Sequence, residues 1–234
     1  MLISLLVMAT LPGELVLLSP WRDQVHVLLP VSPSSKKARP SMLPSVSVRT
    51  VKRCPGSCSA HVEWGSDVVL YVTQLAPRPQ PQSNSQERGL IEVEVFVAPF
   101  AGLQRDVDHN EQEISRLVSE ALSVSVDLTV YPRSLITFRV QVLQLGERER
   151  QMSCLIAAAI CGATAALENS DIARKGRVLA VAISGGGIGF EIGTSRIAMI
   201  DCCESPDIDW ALSAVRELEK ELEERGVIPR RILF

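Results

Sequence analysis

The chain offers few residues able to act as a general base or nucleophile partner. There are three histidines, His26, His61 and His109. His26 lies in an N-terminal extension, His61 in an alternating segment and His109 in a polar stretch. None sits in a local motif of the Ser-His-Asp or Cys-His kind. Carboxylates cluster at Asp106/Asp108 and at Asp201/Glu204/Asp207/Asp209. Such groups can hold a cation or share acid and base work. Asp207 and Asp209 stand just before a helical pattern, where the helix dipole favours negative charge. Capping is therefore their expected role. The run Gly185-Gly186-Gly187-Ile188-Gly189 resembles a phosphate loop, but such a loop needs a helix behind it. Residues 190–200 read as a strand instead, so a hairpin turn is expected.

Six cysteines occur, at 54, 58, 154, 161, 202 and 203. Tetrahedral zinc wants two well-spaced pairs, and Cys202 and Cys203 are adjacent. Cys154 and Cys161 fall in an Ala-rich helical stretch, where small buried thiols are usual. The pattern suits a reducing compartment better than a disulfide framework. Arg105, Arg133, Arg148 and Arg150 lie between elements, where guanidinium groups can meet phosphates or serve ion pairs and solubility.

The bulk numbers narrow the classes. The chain is 46% apolar and 22% charged, with net charge -3 and pI near 5.7, which is ordinary globular composition. Global charge does not mark a nucleic-acid binder. Residues 1–90 hold nine Lys/Arg against five Asp/Glu, and the remainder 15 against 22, so a local basic strip can coexist with the acidic total. The apolar run 1–8 has no positive start and is too short to cross a membrane. Neither a signal peptide nor membrane attachment is expected. Residues 30–44, rich in Pro, Ser, Lys and Arg, read as a linker. Residues 1–44 are thus expected to be a poorly ordered extension, and 45–234 a single domain.

Period-two alternation predicts strands at 45–51, 57–64 and 68–75, joined by turn residues as a meander. The prolines of 77–86 predict a loop outside the sheet. A strand at 90–99 alternates Glu92 and Glu94 with apolar residues, so one face should be wet. Ile114, Leu117, Val118, Ala121 and Leu122 place an amphipathic helix at 111–124. A strand at 134–145 and a buried helix at 152–167 follow. Strands at 178–184 and 190–200 and a charged helix at 209–225, ended by Gly226, complete the chain. The order indicates an α+β fold, with helices packed on one face of a largely antiparallel, mixed sheet.

Five segments in this order resemble the RNase PH family, which has the ribosomal protein S5 domain 2-like fold. They are Gly56-Ser57 through Gly65 to Ala76-Pro77, Arg88-Gly89 through Ala98-Pro99-Phe100, Glu113-Ile114, Tyr131-Pro132-Arg133 with 136–143, and 159–172. The tail Ile228-Pro229-Arg230-Arg231 is similar to the end of one non-catalytic class. The resemblance is to the ring subunits of the eukaryotic RNA exosome.

The resemblance implies that active members attack RNA from its 3′ end with phosphate. They use a Gly-Ser/Thr-Arg grip at the start of the Ala-rich helix and metal-holding acids on a later strand. Aligned without gaps, Cys154-Leu155-Ile156 occupies the grip. Including Gly146-Glu147-Arg148 instead would place a carboxylate against phosphate. The catalytic strand aligns with a deletion between Ser184 and Gly189, which predicts shortened C-terminal strands. The implied protein is a non-catalytic exosome ring subunit, with no catalytic residue, metal or cofactor. Its implied partners are other RNase PH-like subunits, RNA-binding cap subunits, single-stranded RNA and an associated hydrolytic exoribonuclease. Arg105, Arg148 and Arg150 are the expected RNA contacts, and nucleus, nucleolus and cytoplasm the expected location. Two alternatives stand beside it: an active phosphate-dependent exoribonuclease using Asp201, and an unrelated nucleotide-binding α/β enzyme using the glycine run.

Overall fold

The computed structural model describes residues 9–11, 14–16, 45–54, 57–66, 68–80, 87–101, 111–146, 151–183, 186–202 and 207–229. The chain divides into two compact units, Met1–Ser41 and Met42–Phe234. In the first, β1 (Ala9–Leu11) and β2 (Glu14–Val16) pair as an antiparallel hairpin that the sequence reading did not anticipate.

In the second unit, β3 (Val46–Cys54), β4 (Ser57–Trp64) and β5 (Val68–Gln74) form the expected antiparallel meander. Alternate residues Val62, Trp64, Leu70 and Val72 turn inward and are buried. β8 (Ser134–Leu145) pairs antiparallel with β5. β7 (Leu90–Val97) pairs parallel with β8, made possible by the helix α1 (Glu111–Ser125) in the connection between them. The loop expectation for 77–86 needs one correction. Arg78–Pro79 forms a short strand, β6, against Leu135 and Ser134. Proline is tolerated because flanking amides carry the ladder: Leu75 N–H donates to Thr137 and Gln80 N–H to Arg133.

The Ala-rich helix α2 (Gln151–Glu168) contacts β4 and β5 on one side and β9 (Arg177–Ile183) and β10 (Gly186–Ile192) on the other. Residues 155–167 are all buried, which explains the near absence of polar side chains there. Each buried Leu or Ile contributes about 1.5–3 kcal/mol. The two polar exceptions are partnered. Thr164 Oγ1 donates to the Val178 carbonyl at 2.5 Å, and the Cys161 thiol to the Ala180 carbonyl at 3.4 Å.

The C-terminal strands depart from the sequence expectation. Gly186, Gly187 and Gly189 are strand residues of β10, not a turn. The run read as one strand over 190–200 is a hairpin, bent at 193–195 into β11 (Arg196–Cys202). Gly193 (φ 98°) and Ser195 (φ 55°) make the left-handed reversal. Strands β9, β10 and β11 form their own three-stranded antiparallel sheet. Helices therefore cover one face of the large sheet as expected, while the small sheet packs against α1 and α2 and also against α3 (Ile208–Glu224). Asp207 caps α3, accepting the Trp210 N–H at 3.0 Å, as its position predicts. Gly226 follows the helix with φ 69°.

Candidate nucleic-acid interface

Three of the arginines singled out from sequence, Arg105, Arg148 and Arg150, lie outside the described residues. The fourth, Arg133, is described. It is exposed and has a left-handed backbone, φ 55°. An L side chain pays about 1–2 kcal/mol for that conformation. Ser134 N–H donates to the Tyr131 carbonyl at 3.3 Å, closing a turn over Pro132 and Arg133. The turn is tied to the body of the fold, since the Tyr131 hydroxyl accepts the Ala173 N–H at 2.9 Å.

The second region of interest is the start of α2, where the resemblance places a phosphate grip. Cys154 is half-buried there, and Leu155 and Ile156 are 0% and 1% exposed. No basic or acidic residue stands in the first turn of α2. Its Ser153 carbonyl lies beside Gly187 of β10, and Gly187 pairs in register with Asp201 of β11. The strand end that carries Asp201 is thus brought to the helix start.

Asp201 is partly exposed and acts electrostatically on Arg116 of α1. Arg116 is already engaged. Its guanidinium meets Glu113 at 2.6 Å and Glu120 at 3.1 Å. The Glu113 hydrogen bond, more than its charge alone, raises the Arg116 pKa above the usual range. In return, hydrogen bonding from Arg116 lowers that of Glu113.

A divalent cation needs several convergent oxygen or nitrogen donors. Among the described residues, no three His, Cys, Asp or Glu side chains gather in that way. Asp201, the carboxylate that the alternative, active reading would use, feels the charge of the Arg116 guanidinium. The described residues therefore do not fit a metal at this place. Glu204 lies outside the described residues.

The remaining candidates are structural. His61 is half-buried in β4, and burial lowers its pKa more than the nearby Glu63 raises it. His26 and His109 lie outside the described residues. Cys58 and Cys161 are buried thiols, not disulfide-bonded, and Cys161 is pushed up to about 12 by burial. The glycine run is followed by a strand hairpin, so no helix N-terminus stands behind it to receive a nucleotide phosphate.

The most strongly bound arginine went unnoticed in the sequence. Arg177 is 6% exposed. It binds Glu168 of α2 at 3.0 Å, and Glu219 and Glu223 of α3 at 3.1 and 3.0 Å. It also donates to the Pro229 carbonyl at 2.9 Å. Burial works against its charge, yet these carboxylates raise its pKa. Its partners are nine to 52 residues away, so no local pattern announces them.

Comparison with known proteins places this architecture. The model of the RNase PH family, described as the 3′ exoribonuclease family, domain 1, matches residues 44–173. The exosome complex component Rrp41 of Archaeoglobus fulgidus is 29% identical over 143 residues, covering 59% of this chain and 52% of that protein. Rrp41 of Thermococcus kodakarensis is 30% identical over 142 residues, covering 58% and 53%. The chain thus aligns with about half the length of these curated relatives. Among solved structures, rice Rrp46 superposes with a TM-score of 0.57 at 17% identity, covering 82% of this chain and 98% of that one. The Archaeoglobus fulgidus exosome with RNA bound to the active site gives 0.58 at 14% identity, covering 76% and 88%. With the family model spanning more than half of its length, the chain belongs to the RNase PH family.

Proposed function

We infer that this chain is a non-catalytic RNase PH-like subunit of an RNA exosome ring. It contributes to 3′-to-5′ RNA processing by assembling with other RNase PH-like chains and guiding single-stranded RNA. One observation carries the reading: Leu155 and Ile156, to which the sequence resemblance assigns the family's phosphate grip, are buried. Two buried aliphatic side chains supply neither a donor nor a positive charge to an attacking phosphate, and phosphoryl transfer depends on both. The pairing of Arg116 with Glu113 and Glu120 supports it, because the cation beside Asp201 is already neutralised.

In this reading Arg105, Arg148 and Arg150 contact RNA phosphates. RNA-binding cap subunits and a hydrolytic exoribonuclease complete the assembly, which works in nucleus, nucleolus and cytoplasm.

The family's description as 3′ exoribonucleases favours a second reading, an active phosphate-dependent enzyme using Asp201. One assay separates them. Purified chain is incubated with oligo(A) and inorganic phosphate, and nucleoside diphosphates are measured. The expected result is no phosphate-dependent release, and release above background overturns the non-catalytic reading. Recovery from cells with mass spectrometry should bring down other RNase PH-like subunits. Their absence counts against the ring.

A further inference from the structure

The turn at 131–134 has an unusual occupant. Its closing bond runs from Ser134 N–H to the Tyr131 carbonyl, Pro132 stands second, and the third residue has φ 55°. That is the form of a type II turn, whose third position is normally Gly or Asn. Here it is Arg133. A glycine would serve the backbone better, so the side chain is what the position retains.

The same turn receives the start of β7. A methyl placed on Gly89 would lie 2.6 Å from the Tyr131 carbonyl and 3.2 Å from that of Ser134. Gly89 N–H also donates to Leu128 at 2.9 Å. Contact this close brings the backbone of Arg88, the next residue back, to the turn that carries Arg133. Both are exposed. Among the described residues, neither has a carboxylate partner. Six other arginines, Arg78, Arg116, Arg139, Arg174, Arg177 and Arg225, each meet Asp or Glu, whereas Arg216 meets the Ser195 hydroxyl and Arg196 has no ion pair among the described residues. Glu87 is exposed and forms no ion pair among the described residues.

We propose that Arg88 and Arg133 form a phosphate-binding edge for single-stranded RNA. Guanidinium forks match the paired oxygens of a phosphodiester. The proposal rests on the RNA-guiding reading above and adds a site to it.

The test uses fluorescence anisotropy with labelled oligo(A), on the full chain alone and in the assembly recovered with it, across a salt series. Arg133→Gly relieves the left-handed strain. It should melt at the same or a higher temperature while binding RNA about tenfold more weakly. Its slope of log affinity against log salt should fall by about 0.7, the value of one phosphate contact on a single strand. Arg88→Gln should show a similar loss. Wild-type affinity and slope in both variants overturn the proposal and leave the RNA-guiding reading intact. A lower melting temperature for Arg133→Gly also overturns it, by assigning the side chain to the fold. No RNA binding by the wild-type chain in either setting removes the RNA-guiding reading and this site with it.

Discussion

Arg177 and Glu168 face each other across 3.0 Å with side chains only 7% and 4% exposed. The same guanidinium gathers Glu219 and Glu223, so β9, α2 and α3 meet on one positive charge. Removing it leaves the buried Glu168 with Arg174 alone, also at 3.0 Å, and strips Glu219 and Glu223 of their shared cation. Arg177→Leu should destabilise the fold by about 3–5 kcal/mol. Urea denaturation checks this, and an unchanged midpoint would show that the carboxylates do not depend on Arg177. Glu219→Gln should cost far less, because Glu168 and Glu223 remain.

At Gly162, α2 packs tightly against the large sheet. A methyl there would sit 2.7 Å from Val62 Cγ2 and 2.9 Å from Val72 Cγ2. Alanine gains up to about 1 kcal/mol in helix propensity. Overpacking costs about 1–3 kcal/mol and should win. Gly162→Ala is therefore expected to lower stability, and Val62→Ala in that background should cost less than it does alone. Additive effects in the double-mutant cycle would rule out the steric account.

The buried Cys161 thiol predicts alkaline sensitivity. In the folded chain it stays protonated to about 12, whereas its ordinary pKa is 9.0. Its contribution is complete below pH 9. From pH 9 upward the unfolded chain releases the proton and the folded chain does not, so rising pH favours unfolding. The loss amounts to about 1 kcal/mol per pH unit in that window. Stability curves from pH 8 to 10.5 should be shallower for Cys161→Ala than for wild type. Parallel curves would refute the assignment.

Asp207→Ala should cost about 1 kcal/mol by freeing the Trp210 N–H at the start of α3. Asp207→Ser, which keeps an acceptor, should recover most of the loss. Thermal melts of the three proteins decide it.

Sequence legibility followed side-chain pattern. The strands 57–64 and 134–145 could be read to the residue, because inward and outward side chains alternate between clear turn signals. β10 could not be read that way. Gly186, Gly187 and Gly189 carry no side chains to alternate, so a strand passed for a turn. The reversal at 193–195 has its signal in Gly-Thr-Ser, which the apolar residues on either side mask. The buried alanine helix announced its own environment. The ion pairs of Arg177 and Arg116 did not, since their consequences depend on strands and helices brought together by the fold. The strain at Arg133 was invisible for another reason: the residue type does not announce a positive φ.

The amides of Gln80 and Gly89 are held to carbonyls at Arg133 and Leu128. The segment between them therefore begins and ends at anchor points set by the rest of the domain. With both ends fixed, the closure cost depends only weakly on the number of residues joined, since doubling a loop's length costs about 0.6 kcal/mol. An epitope inserted after Ser83 should therefore leave the melting temperature within a few degrees of wild type.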